Sequence, residues 1–81
     1  MKKCKIKYYG LIAEKLGKVE EEVQLSELMS YSDEVNTAIV TLNPLLSGMT
    51  FTVAINDKIS KNWGGEKDIR TVAVLPPFAG G

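Results

Sequence analysis

The run Ile69-Arg70-Thr71-Val72-Ala73-Val74-Leu75 constrains this chain most. It reads as a strand, and Val72, Ala73 and Val74 make it apolar on both faces. A strand buried on both sides belongs inside a sheet, not at its edge. The final strand is therefore expected among its neighbours, with earlier segments arranged around it. Everything after Leu75 then leaves from the middle of the sheet.

What leaves is Pro76-Pro77-Phe78-Ala79-Gly80-Gly81, on which the sequence closes. Proline fixes φ near −65° and drives the preceding residue toward extended geometry. Leu75-Pro76-Pro77 should therefore project straight from the domain. Gly80 and Gly81 carry no Cβ and pass where other residues would clash. Fully extended, this tail reaches at most about 20 Å. That is enough to deliver the Gly81 carboxylate into another protein's active site. The division expected is a domain over residues 1–75 and a flexible diglycine tail over 76–81.

With 81 residues, a single small domain with a marginal core is expected. The formal net charge is zero, which argues against a nucleic-acid or anionic-membrane footprint. No apolar run approaches the roughly 20 residues of a membrane span. The lysines at the start have no apolar stretch behind them, so no secretory signal is read. Cys4, the single cysteine, has no partner for an internal disulfide, which fits a reducing cytoplasm. There is no histidine. Histidine-based triads, Cys-His pairs and histidine metal sites are thereby excluded. If the chain takes part in chemistry, it does so as a substrate.

From Lys3 to Tyr9, Cys4, Ile6 and Tyr8 alternate with Lys3, Lys5, Lys7 and Tyr9, the pattern of a strand with one buried face. Leu11, Ile12 and Leu16 give a short helix closed by Gly17. Val19, Val23 and Leu25 alternate with Glu20, Glu22 and Gln24, giving a second strand paired to the first. Glu20-Glu21-Glu22 does not converge on one site, because strand neighbours point to opposite faces. It reads as a solvated strand opposite the lysines. Ser26 to Ser32 reads as irregular, with Leu28 and Met29 tucked inward. Ser32 is an N-cap candidate, with Asp33 and Glu34 in the first turn. Val35, Ala38, Ile39 and Leu42 then mark the clearest helix, from about Asp33 to Leu42, ended by Asn43-Pro44. A strand over Thr50–Ile55, a turn at Asn56-Asp57 and a short return strand, Lys58-Ile59-Ser60, follow. Gly64-Gly65-Glu66-Lys67 is too short for a phosphate-binding loop. The core is expected to hold Ile6, Leu16, Val23, Val35, Ile39, Leu42, Phe51, Val53, Val72 and Val74. Cys4 reads as a small buried hydrophobe rather than a sulfur relay. Trp63 fits an interface anchor and a lid over the core equally well. Phe78 lies outside any strand pattern, which favours docking in a partner's groove.

This order of elements is the α+β, ubiquitin-like β-grasp pattern: a mixed sheet, one main packed helix and an extended tail. The whole chain resembles the MoaD family of sulfur carriers, the small subunit of molybdopterin synthase. The specific match is Leu75-Pro76-Pro77-Phe78-Ala79-Gly80-Gly81. Val53-Ala54-Ile55-Asn56 and the Lys7-Tyr8-Tyr9-Gly10 to Gly17 region match more weakly. Ile69-Arg70 stands where the family usually carries Gly-Asp, and Leu75 where an aromatic residue is common.

The resemblance implies a cycle at Gly81. A chain-terminal carboxyl has a pKa of about 3.5 and is a poor acyl donor as it stands. An E1-like adenylyltransferase of the MoeB type attaches AMP to it, using ATP and Mg²⁺. Sulfur displaces the AMP and leaves a thiocarboxylate. The tail, with Gly80 and Ala79, then inserts into the large, MoaE-like subunit and gives sulfur to cyclic pyranopterin monophosphate. Such an intermediate has to be kept from water, which calls for a slender tail in a closed pocket. Leu75, Pro76, Pro77 and Phe78 would contact the partner, in a heterotetramer built on a dimer of the large subunit. No cofactor, metal, nucleic acid or membrane is expected on this chain. Rival readings are a carrier for thiamin thiazole synthesis or tRNA thiolation, a ubiquitin-type modifier joined through Gly81, and a plain β-grasp binding module.

Overall fold

The computed structural model describes residues 2–63 and 68–77. Its strands are β1 (Lys3–Tyr8), β2 (Glu20–Gln24), β3 (Thr52–Ile55), β4 (Lys58–Ile59) and β5 (Thr71–Leu75). Its helices are α1 (Gly10–Leu16), α2 (Leu25–Tyr31) and α3 (Val35–Leu42), and a 3₁₀ turn spans Pro44–Leu46. The sheet order is β2-β1-β5-β3-β4. β5 lies parallel to β1 and antiparallel to β3, so the last strand occupies the centre, as its two-sided apolar pattern requires.

Alternation in β1 buries Cys4, Ile6 and Tyr8 against the helices. β2 returns antiparallel, with Lys5 opposite Glu22 and Lys7 opposite Glu20. Lys5 reaches Glu20 at 3.4 Å and Lys3 reaches Glu22 at 3.9 Å, on the solvent face. Pairs this exposed fix register more than they stabilise, at about 0–1 kcal/mol each. Gly17 ends α1 in the left-handed region at φ 71°, donating its N–H to the Ala13 carbonyl at 2.9 Å. Asn56 and Asp57 have φ of 50° and 69°. Two consecutive positive φ values give the tight β3–β4 hairpin that Asn and Asp tolerate best.

Ile6, Val35, Ile39, Val53, Val72 and Val74 are buried as expected, while Leu16, Val23, Leu42 and Phe51 pack only partly against them. Tyr8, Ile12, Leu28, Leu46, Ile55, Trp63 and Ile69 complete the core. Leu11, expected inward, is exposed; it is one position off the stripe that turns Ile12 inward. Residues 25–31 form a helix rather than an irregular stretch, so Leu28 is buried but Met29 faces solvent. α3 starts at Val35, two residues later than Asp33. The Ser32 hydroxyl accepts from the Glu34 N–H at 3.0 Å, bracing the turn before the helix instead of capping it. Trp63 resolves as a lid: it is buried, and its indole N–H donates to the Ser32 carbonyl at 3.1 Å. A partner groove cannot take a ring already sealed into the core. Strand bounds are tighter than the sequence indicated, since Ile69-Arg70 and Thr50-Phe51 lie outside β5 and β3.

Candidate functional site: the exit of the C-terminal strand

The chain leaves the sheet between two neighbours. On one side, β1 pairs with β5 up to Tyr8 opposite Val74, and the Tyr9 N–H adds a bond to the Val74 carbonyl at 3.1 Å. On the other, Thr52 stands opposite Leu75. Prolines at 76 and 77 have no N–H, so the ladder cannot run on. Leu75 and Pro76 are half-buried and Pro77 is exposed. Pro76 packs against Gly10, where an added Cβ would come within 2.8 Å of the ring Cγ. Phe78, Ala79, Gly80 and Gly81, the remaining residues of the expected site, lie outside the described residues.

The start of β5 is fixed at the opposite end. Asn56 Oδ1 accepts from the N–H groups of Arg70 at 2.9 Å and Thr71 at 3.1 Å. Its Nδ2 donates to the Asp68 carbonyl at 2.7 Å, and its own N–H to the Thr71 carbonyl at 2.9 Å. One side chain thus ties the β3–β4 turn to the foot of the central strand at Ile69-Arg70.

The sheet face away from the helices carries an apolar strip at the exit. Register places Ala54 beside both Ala73 and Ile59, and continuing the β1–β5 pairing sets Tyr9 beside Leu75. Tyr9 and Ile59 are large and exposed, and Lys7, opposite Ala73, borders the strip. Tyr9 and Ile59 are absent from the expected site. The signal for Tyr9 was present in the sequence, since it is the aromatic residue that continues the lysine face just past β1. Ile59 was read in the short return strand, which is too brief for alternation to assign its face.

Below the exit, Glu21 departs from the expected solvated row. It turns inward opposite Ile6 and joins Tyr8, Asn43 and Lys18. The Tyr8 hydroxyl donates to the Glu21 carboxylate and accepts from Asn43 Nδ2 at 2.7 Å. The Lys18 ammonium lies 2.8 Å from Glu21 and 5.6 Å from the Tyr8 ring centre. Burial pushes the Tyr8 phenol upward, and the Glu21 carboxylate adds to it. Burial alone would raise Glu21, but hydrogen bonds from Lys18 and Tyr8 outweigh it and the carboxyl ends below its usual range. These groups are paired with one another, with Lys18 and Glu21 still partly open to solvent. Among the described residues, no buried side-chain nitrogen or oxygen lacks a partner.

Little else here can do chemistry. Burial raises the Cys4 thiol to about 11, so it stays protonated and unreactive at neutral pH. Among the described residues, no group of acidic, Cys or His side chains is placed to hold a metal ion. No helix among them is long and apolar enough to cross a membrane. An open groove between α3 and the approach to β3 is lined by Asn36, Thr37, Val40, Met49, Thr50 and Phe51, and no titratable group faces it.

A mixed sheet wrapped on one face by helices, with its last strand central and leading into Pro76-Pro77, is the ubiquitin-like β-grasp fold. Among solved structures it is similar to SAMP1 from Haloferax volcanii. The TM-score is 0.66 at 17% identity, over 99% of this chain and all of that one. No family model and no curated protein matches the chain.

Proposed function

We propose that this chain is a ubiquitin-like sulfur carrier whose working group is the carboxyl of Gly81 at the end of the active form. The finer reading is the small subunit of molybdopterin synthase, serving molybdenum cofactor biosynthesis. A fold alone does not assign a function, and the exit carries the argument. The observation behind it is that β5, clamped between β1 and β3, opens directly into Pro76-Pro77. The sequence behind those prolines is slender, Ala79-Gly80-Gly81. The described part of the chain supplies a scaffold and an exposed apolar strip beside the exit, which supports reading it as a molecule acted on by others.

In this reading an E1-like partner binds ATP and Mg²⁺ and brings the catalytic side chains. The carboxylate attacks the α-phosphate and pyrophosphate leaves. A sulfur nucleophile then displaces AMP, leaving the thiocarboxylate. A MoaE-like large subunit would accept the tail, with Leu75, Pro76, Pro77 and Phe78 at its contact and the assembly a heterotetramer. Tyr9 and Ile59 extend that contact surface.

Intact-mass analysis of the chain co-produced with its E1-like partner tests the reading. A mass gain matching exchange of one oxygen for sulfur at Gly81 is expected, and deletion of Gly81 should abolish it together with ATP–pyrophosphate exchange. A ladder of lysine adducts would instead mark a protein modifier, and an unchanged mass would leave a binding module. Transfer of the sulfur to cyclic pyranopterin monophosphate by the large subunit separates the molybdopterin role from other carriers.

A further inference from the structure

We propose that Gly10 is a positioning residue for the tail: its bare Cα is the seat of the Pro76 ring, and that seat sets the direction in which Pro76-Pro77 leaves the sheet. The proposal rests on the reading that the tail is the working element.

Two independent features single Gly10 out. Its φ is 58°, in the left-handed region that side chains rarely adopt. A Cβ there would also stand 2.8 Å from Pro76 Cγ and 3.7 Å from Cδ. Gly17 and Gly48 share the positive φ, but an added Cβ meets nothing within 4 Å at either position. The left-handed turn alone therefore does not bring the tail so close; Gly10 has a second task. It stands immediately after Tyr9, whose N–H makes the last bond to β5, so the seat begins where the ladder stops.

The ring is a rigid lever. Proline cannot rotate about φ to avoid a clash, so an intruding methyl has to be answered by the backbone at Leu75. Ordinary contact begins near 3.4 Å, so the ring would retreat by at least roughly half an ångström. Pro77 follows with its own φ fixed near −65°, so the two rings are redirected together. A small tilt at the seat therefore changes the path on which Pro76-Pro77 leaves the sheet. A misplacement of about 1 Å can cost on the order of 100-fold in rate.

The test uses the full chain as wild type, Gly10→Ala, Pro76→Ala and the double variant. In the wild type, a nuclear Overhauser cross-peak from the Gly10 Hα protons to the Pro76 ring is expected; its absence overturns the proposal without any variant. In Gly10→Ala, residual dipolar couplings of the Pro76 and Pro77 Cα–H vectors should change while those of Val72 and Val74 N–H hold. ATP–pyrophosphate exchange with the E1-like partner should fall on the order of tenfold or more. Removing the ring removes the collision, so Gly10→Ala should cost little in the Pro76→Ala background. An equal loss in both backgrounds, or unchanged couplings at Pro76 and Pro77, overturns the seat. The couplings decide this whether or not the protein carries sulfur. Exchange that persists in the Gly81-deleted chain would instead sink the carrier reading alone.

Discussion

Replacing Tyr8 by Phe isolates the buried polar cluster beneath β1, because it deletes a single oxygen and leaves the ring in the core. That oxygen donates to the Glu21 carboxylate and accepts from Asn43 Nδ2 at 2.7 Å. Losing a hydrogen bond to a charged group costs about 1.5–3 kcal/mol. Asn43 is 6% exposed and keeps only the 3.5 Å contact with Glu21, so part of an unsatisfied-donor penalty, about 1 kcal/mol, is added. The sum is about 3 kcal/mol, and for a domain of this size each kcal/mol moves the melting temperature by roughly 4–8 °C. Tyr8→Phe should therefore melt at least about 10 °C lower, by differential scanning calorimetry at neutral pH. The acid side gives a second reading. Net hydrogen bonding lowers the folded Glu21 pKa below its usual 4.5. That stabilisation is present above the usual value and is lost as pH falls through the lowered one. With one donor gone, Tyr8→Phe has less to lose, so the gap to wild type should narrow below about pH 4. A variant that melts with wild type at pH 7, or a gap that widens in acid, refutes the assignment.

Two further outcomes follow from the scaffold. Asn56→Ala loses two accepted N–H groups and the donor to Asp68, and puts a methyl-bearing residue at φ 50°, for about 2–4 kcal/mol by urea denaturation. Asn56→Gly should recover about 1 kcal/mol of that, since it removes only the backbone strain, and equal losses would show that the strain is not felt. Cys4, with its thiol raised to about 11, should resist a disulfide-exchange reagent at pH 8 until the chain is unfolded; prompt labelling of the native protein would contradict its burial.

Much of this was legible in the sequence because two-sided and one-sided burial leave different patterns. The run through Val72, Ala73 and Val74 placed the last strand centrally, and the alternation of Cys4, Ile6 and Tyr8 gave the inward face of β1. The lysine–glutamate facing of β1 and β2 followed from period two. Short elements were legible only where a turn residue marked them, as Gly17 does for α1 and Asn56-Asp57 for β4. α2 is too brief for its 3.6-residue period to show, and its Leu28 and Met29 read equally as a tucked loop. Glu21 was missed for a different reason: composition marks a carboxylate as solvated, and only partners distant in sequence, Tyr8 and Asn43, make an inward one tolerable. Trp63 could not be assigned because its partner, the Ser32 carbonyl, is a backbone atom that no side-chain pattern announces. The Gly10–Pro76 contact joins residues 66 positions apart by number and leaves a trace only in what is absent, a side chain at position 10.

These features meet at the end of β1, and their order along the chain explains how they cooperate. Tyr8 points into the core and is pinned by Glu21 and Asn43, so the strand cannot slide or roll at its last ladder residue. Tyr9 points outward, bonds Val74 through its N–H and adds its exposed ring to the apolar strip. Gly10 turns the chain into α1 and receives Pro76. Three consecutive residues thus anchor the strand, expose an aromatic ring and meet Pro76. A partner that reads Tyr9 and Ile59 is thereby in fixed register with the direction of Pro76-Pro77. Under the proposed carrier role, docking and delivery would then need no conformational change among the described residues. The same logic predicts that damage to the Tyr8 anchor should loosen tail aim before it unfolds the domain, because the anchor lies two residues before the seat.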